Sequence, residues 1–417
     1  MGIMKRNKEI KLNDMNDLIA YTKMYKEELL GKVIPFWESK SIDYECGGYF
    51  SCLDREGNVF DTDKFMWLQG RQLWFFSMIY NEIEKKQQWL DIALHGAEFM
   101  KKYGTDTNGN WYFSLTREGK PLVQPYNIFS DCFAAMGFGE LYKATGNNEF
   151  KDIAIRTFNK IKERASNPKG IYNKAYPETR PMINFSLPMI LCNLSLILED
   201  VIGSQQVDGM VQPLVNEILN VFYQKESGLI LENVSPDGSF VDCFEGRVVN
   251  PGHITESTWF LMDIAKRYKK HEIADKSVEI LLNALEYGWD KEHGGIFYFR
   301  DIKGYPTQQL EWDQKLWWVH IESLIATLKG YALTGDERCK TWFLKLHDYT
   351  WEHFKDREYP EWYGYLTRQG EPLLTLKGGK WKGCFHVPRG LYQIWKILEN
   401  ETINLNKHDL NTLKIYK

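Results

Sequence analysis

Two histidines, two glutamates and an arginine stand in this chain where buried helices would ordinarily carry apolar residues. Arg71 lies in "WLQGRQLWFF", His253 and Glu256 in "NPGHITESTWF", Glu322 in "LWWVHIESL" and His386 in "GGKWKGCFHVPRG". Imidazole titrates near neutrality, so a histidine can take a proton or return one. Two histidines on opposite sides of a tetrahedral carbon, with a cation holding the adjacent carbonyl oxygen, can remove a proton from one face and restore one to the other. That is epimerisation, and it requires no metal. A position near a helix N-terminus also disfavours the imidazolium, which keeps a histidine available as a base.

Taken singly, each residue has a plainer reading. His253 or His386 would serve as a helix cap or a satisfied core histidine, and Arg71 as the partner of an acidic neighbour. Glu322 would be answered by Arg389, and Glu256, three residues after His253, would orient that ring. Together, five such groups in one apolar interior cost stability without a ligand-linked reason. Cys384, two residues before His386, suggests a cysteine–histidine nucleophile, but a thiol with nothing to depress its pKa reads as structural. Among 15 tryptophans, Trp67, Trp318 and Trp381 are the expected stacking faces for a sugar. Two other classes compete. A glycosidase would use Glu256 and Glu322 across a glycosidic bond and leave the histidines surplus. A non-catalytic sugar-binding protein would not need all five polar positions filled.

The elements that must bring these residues together repeat along the chain. Aromatic segments ending in a polar, glycine-containing turn begin at Gly47, Trp111, Gly228, Gly294 and Trp362, with a degenerate one, "GIYNKAYPE", at Gly170. The successive intervals run from 58 to 68 residues. Each segment predicts a β-hairpin. Between them, helical patterns that are apolar nearly all round ("RQLWFFSMIYNEI", "LWWVHIESLIATLKGYAL") alternate with patterns carrying one apolar stripe ("EFKDIAIRTFNKIKERA", "HEIADKSVEILLNALEYG"). The first kind belongs inside and the second at a surface, giving six inner and six outer helices. An open stack would leave its terminal inner helices exposed, so the expected fold is an all-α, six-fold (α/α)6 barrel with short β-hairpins at the active-site end. One domain spanning residues 1–417 is expected, with its core at about 14–400 and a polar tail at about 401–417.

Composition excludes several classes. Lys+Arg number 52 against 56 Asp+Glu, for a net charge of −4 spread along the chain, which argues against a nucleic-acid partner. Seven scattered cysteines without a C-x-x-C pair fit neither a disulfide frame nor a zinc site. A phosphate-binding loop and a dinucleotide fingerprint are both missing. With no apolar run of about 18 residues and a charged N-terminal stretch, the expectation is a soluble, cytoplasmic protein without a membrane partner.

The segments "GGYFSCLDREGNVFDTDKFMWLQGRQLW", "LENVSPDG", "NPGHITESTWFL", "GWDKEHGGIFYF", "QLEWDQKLWWVHIE" and "EYPEWYGYLTRQGEPLLTLKGGKWKGCFHVPRGLY" resemble the N-acylglucosamine 2-epimerase (renin-binding protein) family, from about residue 30 to about residue 400. The resemblance implies the same barrel. It also implies interconversion of N-acetyl-D-glucosamine and N-acetyl-D-mannosamine through the open-chain aldehyde and a C1–C2 enolate. By residue match, Arg71 would hold sugar oxygens, His253 and His386 would be the acid/base pair, and Glu256 and Glu322 the functional glutamates. Which histidine serves which face is left open. The family resemblance further implies no cofactor for the chemistry, ATP or another nucleotide as an allosteric effector, and a homodimer. Cellobiose 2-epimerases and aldose–ketose isomerases acting on mannose are similar more weakly. They carry a further histidine on the third inner helix, where this chain has "MINFSLPMILCNL" with Pro188 near that place, a departure that favours an N-acyl sugar.

Overall fold

The computed structural model describes residues 15–176 and 178–415, so the charged N-terminal stretch lies largely outside the described residues. Helices α1 (Met15–Glu28) and α2 (Ile34–Lys40) are followed by α3 (Met66–Glu82), α4 (Gln87–Tyr103), α5 (Phe129–Thr145), α6 (Asn148–Arg164) and α7 (Ser186–Ile197). Next come α8 (Glu199–Ile202), α9 (Ser204–Glu217), α10 (Pro251–Tyr268), α11 (His271–Gly288), α12 (Trp317–Thr334), α13 (Glu337–His353) and α14 (His386–Ile415). The polar stretch beyond residue 400 therefore continues α14.

Helices α3, α5, α7, α10, α12 and α14 pack in that order around an axis, with the others outside them. The arrangement is an (α/α)6 barrel. The inner helices are buried on nearly every side, as α3 is from Leu68 to Ile79. Outer helices bury a stripe, which in α6 is Phe150, Ala154, Phe158 and Ile161. Neighbouring inner helices approach closely where glycine permits it. A Cβ on Gly70 of α3 would lie 2.6 Å from the backbone of Phe133 in α5.

Local sequence sets the helix ends. Asn250 caps α10 by accepting from the His253 N–H at 3.1 Å, and Pro251 supplies the first helical residue. Strand Lys64–Phe65 runs straight into α3, and Lys315–Leu316 straight into α12. Short antiparallel strands and inner-helix starts therefore share one end of the barrel.

A repeated ion cluster braces that end. The Asp43 carboxylate accepts from buried Lys64 at 2.9 Å and from Arg117 of the next hairpin at 3.0 Å. Asp290 is held likewise by Lys315 at 3.1 Å and Arg368 at 2.9 Å. Asp356 is held by Lys377 at 2.8 Å and by Arg55 at 2.8 and 3.0 Å. In the third cluster the arginine comes from the first hairpin, so the ring closes with the same contact that joins internal neighbours. Outside it, Tyr25 of α1 meets His347 of α13 at 2.8 Å.

Two expectations need correction. The Gly170 segment is a 3-10 turn (Gly170–Tyr172), and the strand that follows, Ile183–Asn184, pairs with Asn233–Val234 instead. Pro181 and the exposed side chains around it leave that stretch few donors and little apolar surface for a hairpin. Helix α3 begins five residues before Arg71, which sits in its second turn. The third inner helix ends at Ile197 and restarts as the short α8.

Candidate active site

A cavity of about 500 Å³ opens at the hairpin end of the barrel. Arg71, His253, Glu256 and His386 line it, together with Trp67, Trp318 and Trp381. Glu322 is fully buried behind His386. Helices α10 and α14 bring the two histidines and Glu256 to it and α3 brings Arg71, whereas Phe129 and Phe133 of α5 and Met189 and Ile190 of α7 make a mostly apolar wall with Ser186 at its edge.

Each histidine is fixed through Nδ1. His253 Nδ1 lies 3.0 Å from both oxygens of Glu232. His386 Nδ1 lies 2.7 Å from Glu322 Oε1. Because a carboxylate only accepts, the proton belongs on Nδ1 in both rings, and each Nε2 is left to face a ligand. The Trp318 ring stands beside both, with centroids 5.2 Å from His253 and 5.9 Å from His386.

The two carboxylates differ in their other partners. Arg389 Nη2 donates to Glu322 Oε1 at 2.6 Å and to Glu256 Oε1 at 2.8 Å, and Trp259 Nε1 donates to Glu322 Oε2 at 2.9 Å. Burial disfavours the imidazolium of His253, but the charge and hydrogen bond of Glu232 outweigh it and raise the pKa above the ordinary value. Burial, followed by the positive charge of Arg71, drives His386 well below that value. The site thus biases the two rings oppositely, His253 towards the imidazolium and His386 towards the neutral imidazole.

Among the described residues no carboxylate forms an ion pair with Arg71, and Glu256 and Glu322, whose charges act on it, are bonded by Arg389. The Arg71 guanidinium stacks on Phe133 at 4.0 Å, Trp67 at 4.4 Å and Phe385 at 4.5 Å, and its buried Nε has no hydrogen-bond partner. Three aromatic faces hold the cation while its donors stay available to an oxygen of a ligand. Trp381, 49% exposed, packs on Trp67 at the mouth.

Glu256, Glu322 and His386 place ligand atoms within 4.8 Å of one another, as a metal site does. The Arg389 guanidinium already bonds both carboxylates, so this donor set fits a fixed organic cation and would set a divalent ion against it. The same arginine removes the free carboxylate pair that a glycosidase needs. Cys384 is buried with its thiol pKa pushed well up, which fits the structural reading.

The sequence reading missed Glu232. It stands 21 residues before His253 in the hairpin segment "GLILENVSPDG", and its signal is an acid placed directly after three apolar residues. Glu256, taken alone as the group that would orient His253, is instead bound by Arg389 across the barrel.

Comparison with known proteins agrees with this geometry. Residues 48–387 match the sequence profile of the family described as N-acylglucosamine 2-epimerase (GlcNAc 2-epimerase). The chain is 39% identical over 382 residues to the N-acylglucosamine 2-epimerase of Mus musculus, covering 89% of this chain and 90% of the mouse protein. Identity to the cellobiose 2-epimerase of Dictyoglomus turgidum is 26%, over 89% of this chain and 97% of that one. The fold superposes on the cellobiose 2-epimerase of Bacillus thermoamylovorans with a TM-score of 0.78 at 21% identity, covering 91% of this chain and 99% of that one. A buried two-histidine site on a matching barrel, with sequence agreement across most of the chain, makes this protein a member of the N-acylglucosamine 2-epimerase family.

Proposed function

We propose that the chain interconverts N-acetyl-D-glucosamine and N-acetyl-D-mannosamine by moving a proton at C2 of the open-chain sugar. The observation that carries this reading is the pair of Nδ1-anchored histidines beside one tryptophan face, their proton affinities pushed in opposite directions, with an unpaired arginine close by. The neutral His386 Nε2 takes the C2 proton of the epimer that presents it. The C2–H electron pair forms the C1–C2 double bond, and the carbonyl π pair moves to O1, where Arg71 offsets the charge. The His253 imidazolium then gives its Nε2 proton to the other face of C2, and the carbonyl re-forms. Glu232 and Glu322 hold the rings; Glu256 and Arg389 set the charge behind them. Trp67, Trp318 and Trp381 stack on the sugar.

The apolar wall of Phe133, Met189 and Ile190 has no partner for a sugar hydroxyl and suits the methyl of an N-acyl group. That wall favours the N-acyl sugar over cellobiose or mannose. A continuous apolar core from Leu18 to Leu398 supports one domain as the unit of activity. A nucleotide effector and a homodimer are proposed on the family resemblance alone, and a cytoplasmic location on the charged N-terminal stretch and the lack of a long apolar run in the sequence. No described helix is long and apolar enough to cross a membrane.

A proton NMR time course of N-acetyl-D-mannosamine in deuterated water, with and without ATP, tests the assignment. The expected result is N-acetylglucosamine carrying deuterium at C2, and the ATP arm reads the effector. Turnover of mannose or cellobiose with none of the N-acyl sugar would transfer the reading to the sister activities.

A further inference from the structure

Three hairpins share an isolated bridge at one register: Ile42 with Tyr49, Trp289 with Ile296 and Lys355 with Trp362. The residue before the second partner is Gly48, Gly295 or Glu361. All three have positive φ, at 71°, 72° and 66°, and Glu361 is one of two non-glycine residues in that region among the described residues. A side chain there is strained, and the two sister positions avoid it by being glycine.

The Glu361 carboxylate is fully engaged. Oε2 accepts from Trp37 Nε1 at 2.8 Å, and Oε1 accepts from the Trp362 N–H at 3.0 Å and from Lys382 Nζ at 2.8 Å. Its carbonyl accepts from Lys377 Nζ at 2.8 Å. Lys377 and Lys382 are both fully buried, and Lys382 Nζ also donates to the Lys377 carbonyl at 2.8 Å. Residue 361 thus pins both ends of a short segment that carries Trp381 to the mouth and delivers Phe385 and His386 to the site. Phe385 is one of the three faces under Arg71.

The geometry points to Glu361 as a positioning residue for the epimerase site: the strained backbone persists because its carboxylate holds residues 377–386 in the register that sets His386 and the Arg71 platform. The inference rests on the assignment of His386 as an acid/base group. A purely structural carboxylate could be exchanged for the glycine of the sister hairpins, with its buried lysine partner neutralised, at a cost in stability but none in kcat.

Steady-state kinetics and thermal melting of Glu361→Gln, Glu361→Gly and the double variant Glu361→Gly with Lys382→Met test this. The double variant is free of the strain and of both buried charges but leaves the Trp37 and Trp362 N–H groups without their acceptor, so it is expected to melt several degrees below the parent while still folding. Its kcat should still fall about tenfold or more, as small misplacements of catalytic groups do, with KM changed less. Glu361→Gln, which keeps one of the two acceptor oxygens, should retain more of kcat than the double variant. A double variant with the parent's kcat and KM, alongside an inactive His386→Asn, overturns the positioning role and leaves the histidine assignment standing. An active His386→Asn would instead remove the assignment on which the inference rests.

Discussion

His253 and His386 are built alike and charged differently. Each donates Nδ1–H to a carboxylate, but Glu232 serves His253 without a cation on it, whereas Glu322 shares its oxygens with Arg389 and Trp259. Exposure differs as well, with the His253 side chain 26% exposed and that of His386 9%. An undiluted carboxylate stabilises the imidazolium, while a carboxylate already neutralised by a guanidinium leaves burial to decide. The teaching is that a proton-transfer pair can be polarised by the partners of its partners. Under the proposed scheme this bias favours the epimer whose C2 proton faces His386.

The largest effect should come from removing either ring. His253→Asn and His386→Asn are each expected to lower epimerisation by at least about 10²-fold with the fold retained. C2 exchange in deuterated water should survive in one variant for one epimer only, which would assign the faces. A variant keeping more than about a tenth of turnover contradicts the two-base scheme.

Arg389→Met should come next, because it leaves Glu256 and Glu322 facing each other without a cation. Stability should drop by about 3–5 kcal/mol, measured by denaturant unfolding. With Glu322 no longer neutralised, His386 should bind its proton at higher pH, so the acid limb of the kcat/KM profile moves upward. An unmoved acid limb in a folded variant would show that Arg389 does not set the charge of His386.

Glu232→Gln sharpens the contrast from the other side. In the parent, activity requires neutral His386 and protonated His253. It should fall at low pH as His386 gains a proton and at high pH, above about 6.5, as His253 loses one. These limbs report the pair as a unit. Without the Glu232 charge the His253 pKa drops, so the alkaline limb should shift to lower pH and activity near neutrality fall about tenfold. Loss of activity with no shift of that limb would give Glu232 a role other than charge.

A smaller, stability-linked effect follows from the same signs. His253, raised on folding, contributes stability that is present below about 6.5 and lost as pH rises through its folded value. His386, lowered on folding, costs stability as pH falls below about 6.5. The melting temperature of His386→Asn should therefore fall less than the parent's on acidification, by a few degrees over that range. Equal acid sensitivity in both proteins would place the titration elsewhere.

Much of the fold was legible because helix periodicity and burial are local properties. The patterns "HEIADKSVEILLNALEYG" and "LWWVHIESLIATLKGYAL" match α11 and α12 almost end to end. The start of α3 was not legible, because "MWLQG" ahead of Arg71 offers no capping residue: the Phe65 N-cap makes no side-chain hydrogen bond, and the strand before it fixes the entry. At Gly170 the spacing suggested a hairpin, and the absence of alternating apolar residues outweighed it. In the site, the five polar residues were visible as misfits in apolar helices. Glu232 was not, since an acid in a hairpin is ordinary until a histidine from another element lies 3.0 Å away.

By itself the sequence determined the alternation of inner and outer helices, the number of repeats and the candidate residues, since each follows from side-chain type at short range. Only the tertiary structure decided which carboxylate serves which histidine, that Arg389 binds two glutamates, that Arg71 rests on three aromatic rings, and that Arg55 closes the ring on Asp356. Those are contacts between residues up to 314 positions apart, the separation of Arg71 and Phe385. Their energies depend on burial and on the neighbours of neighbours, and neither quantity exists until the ring has closed.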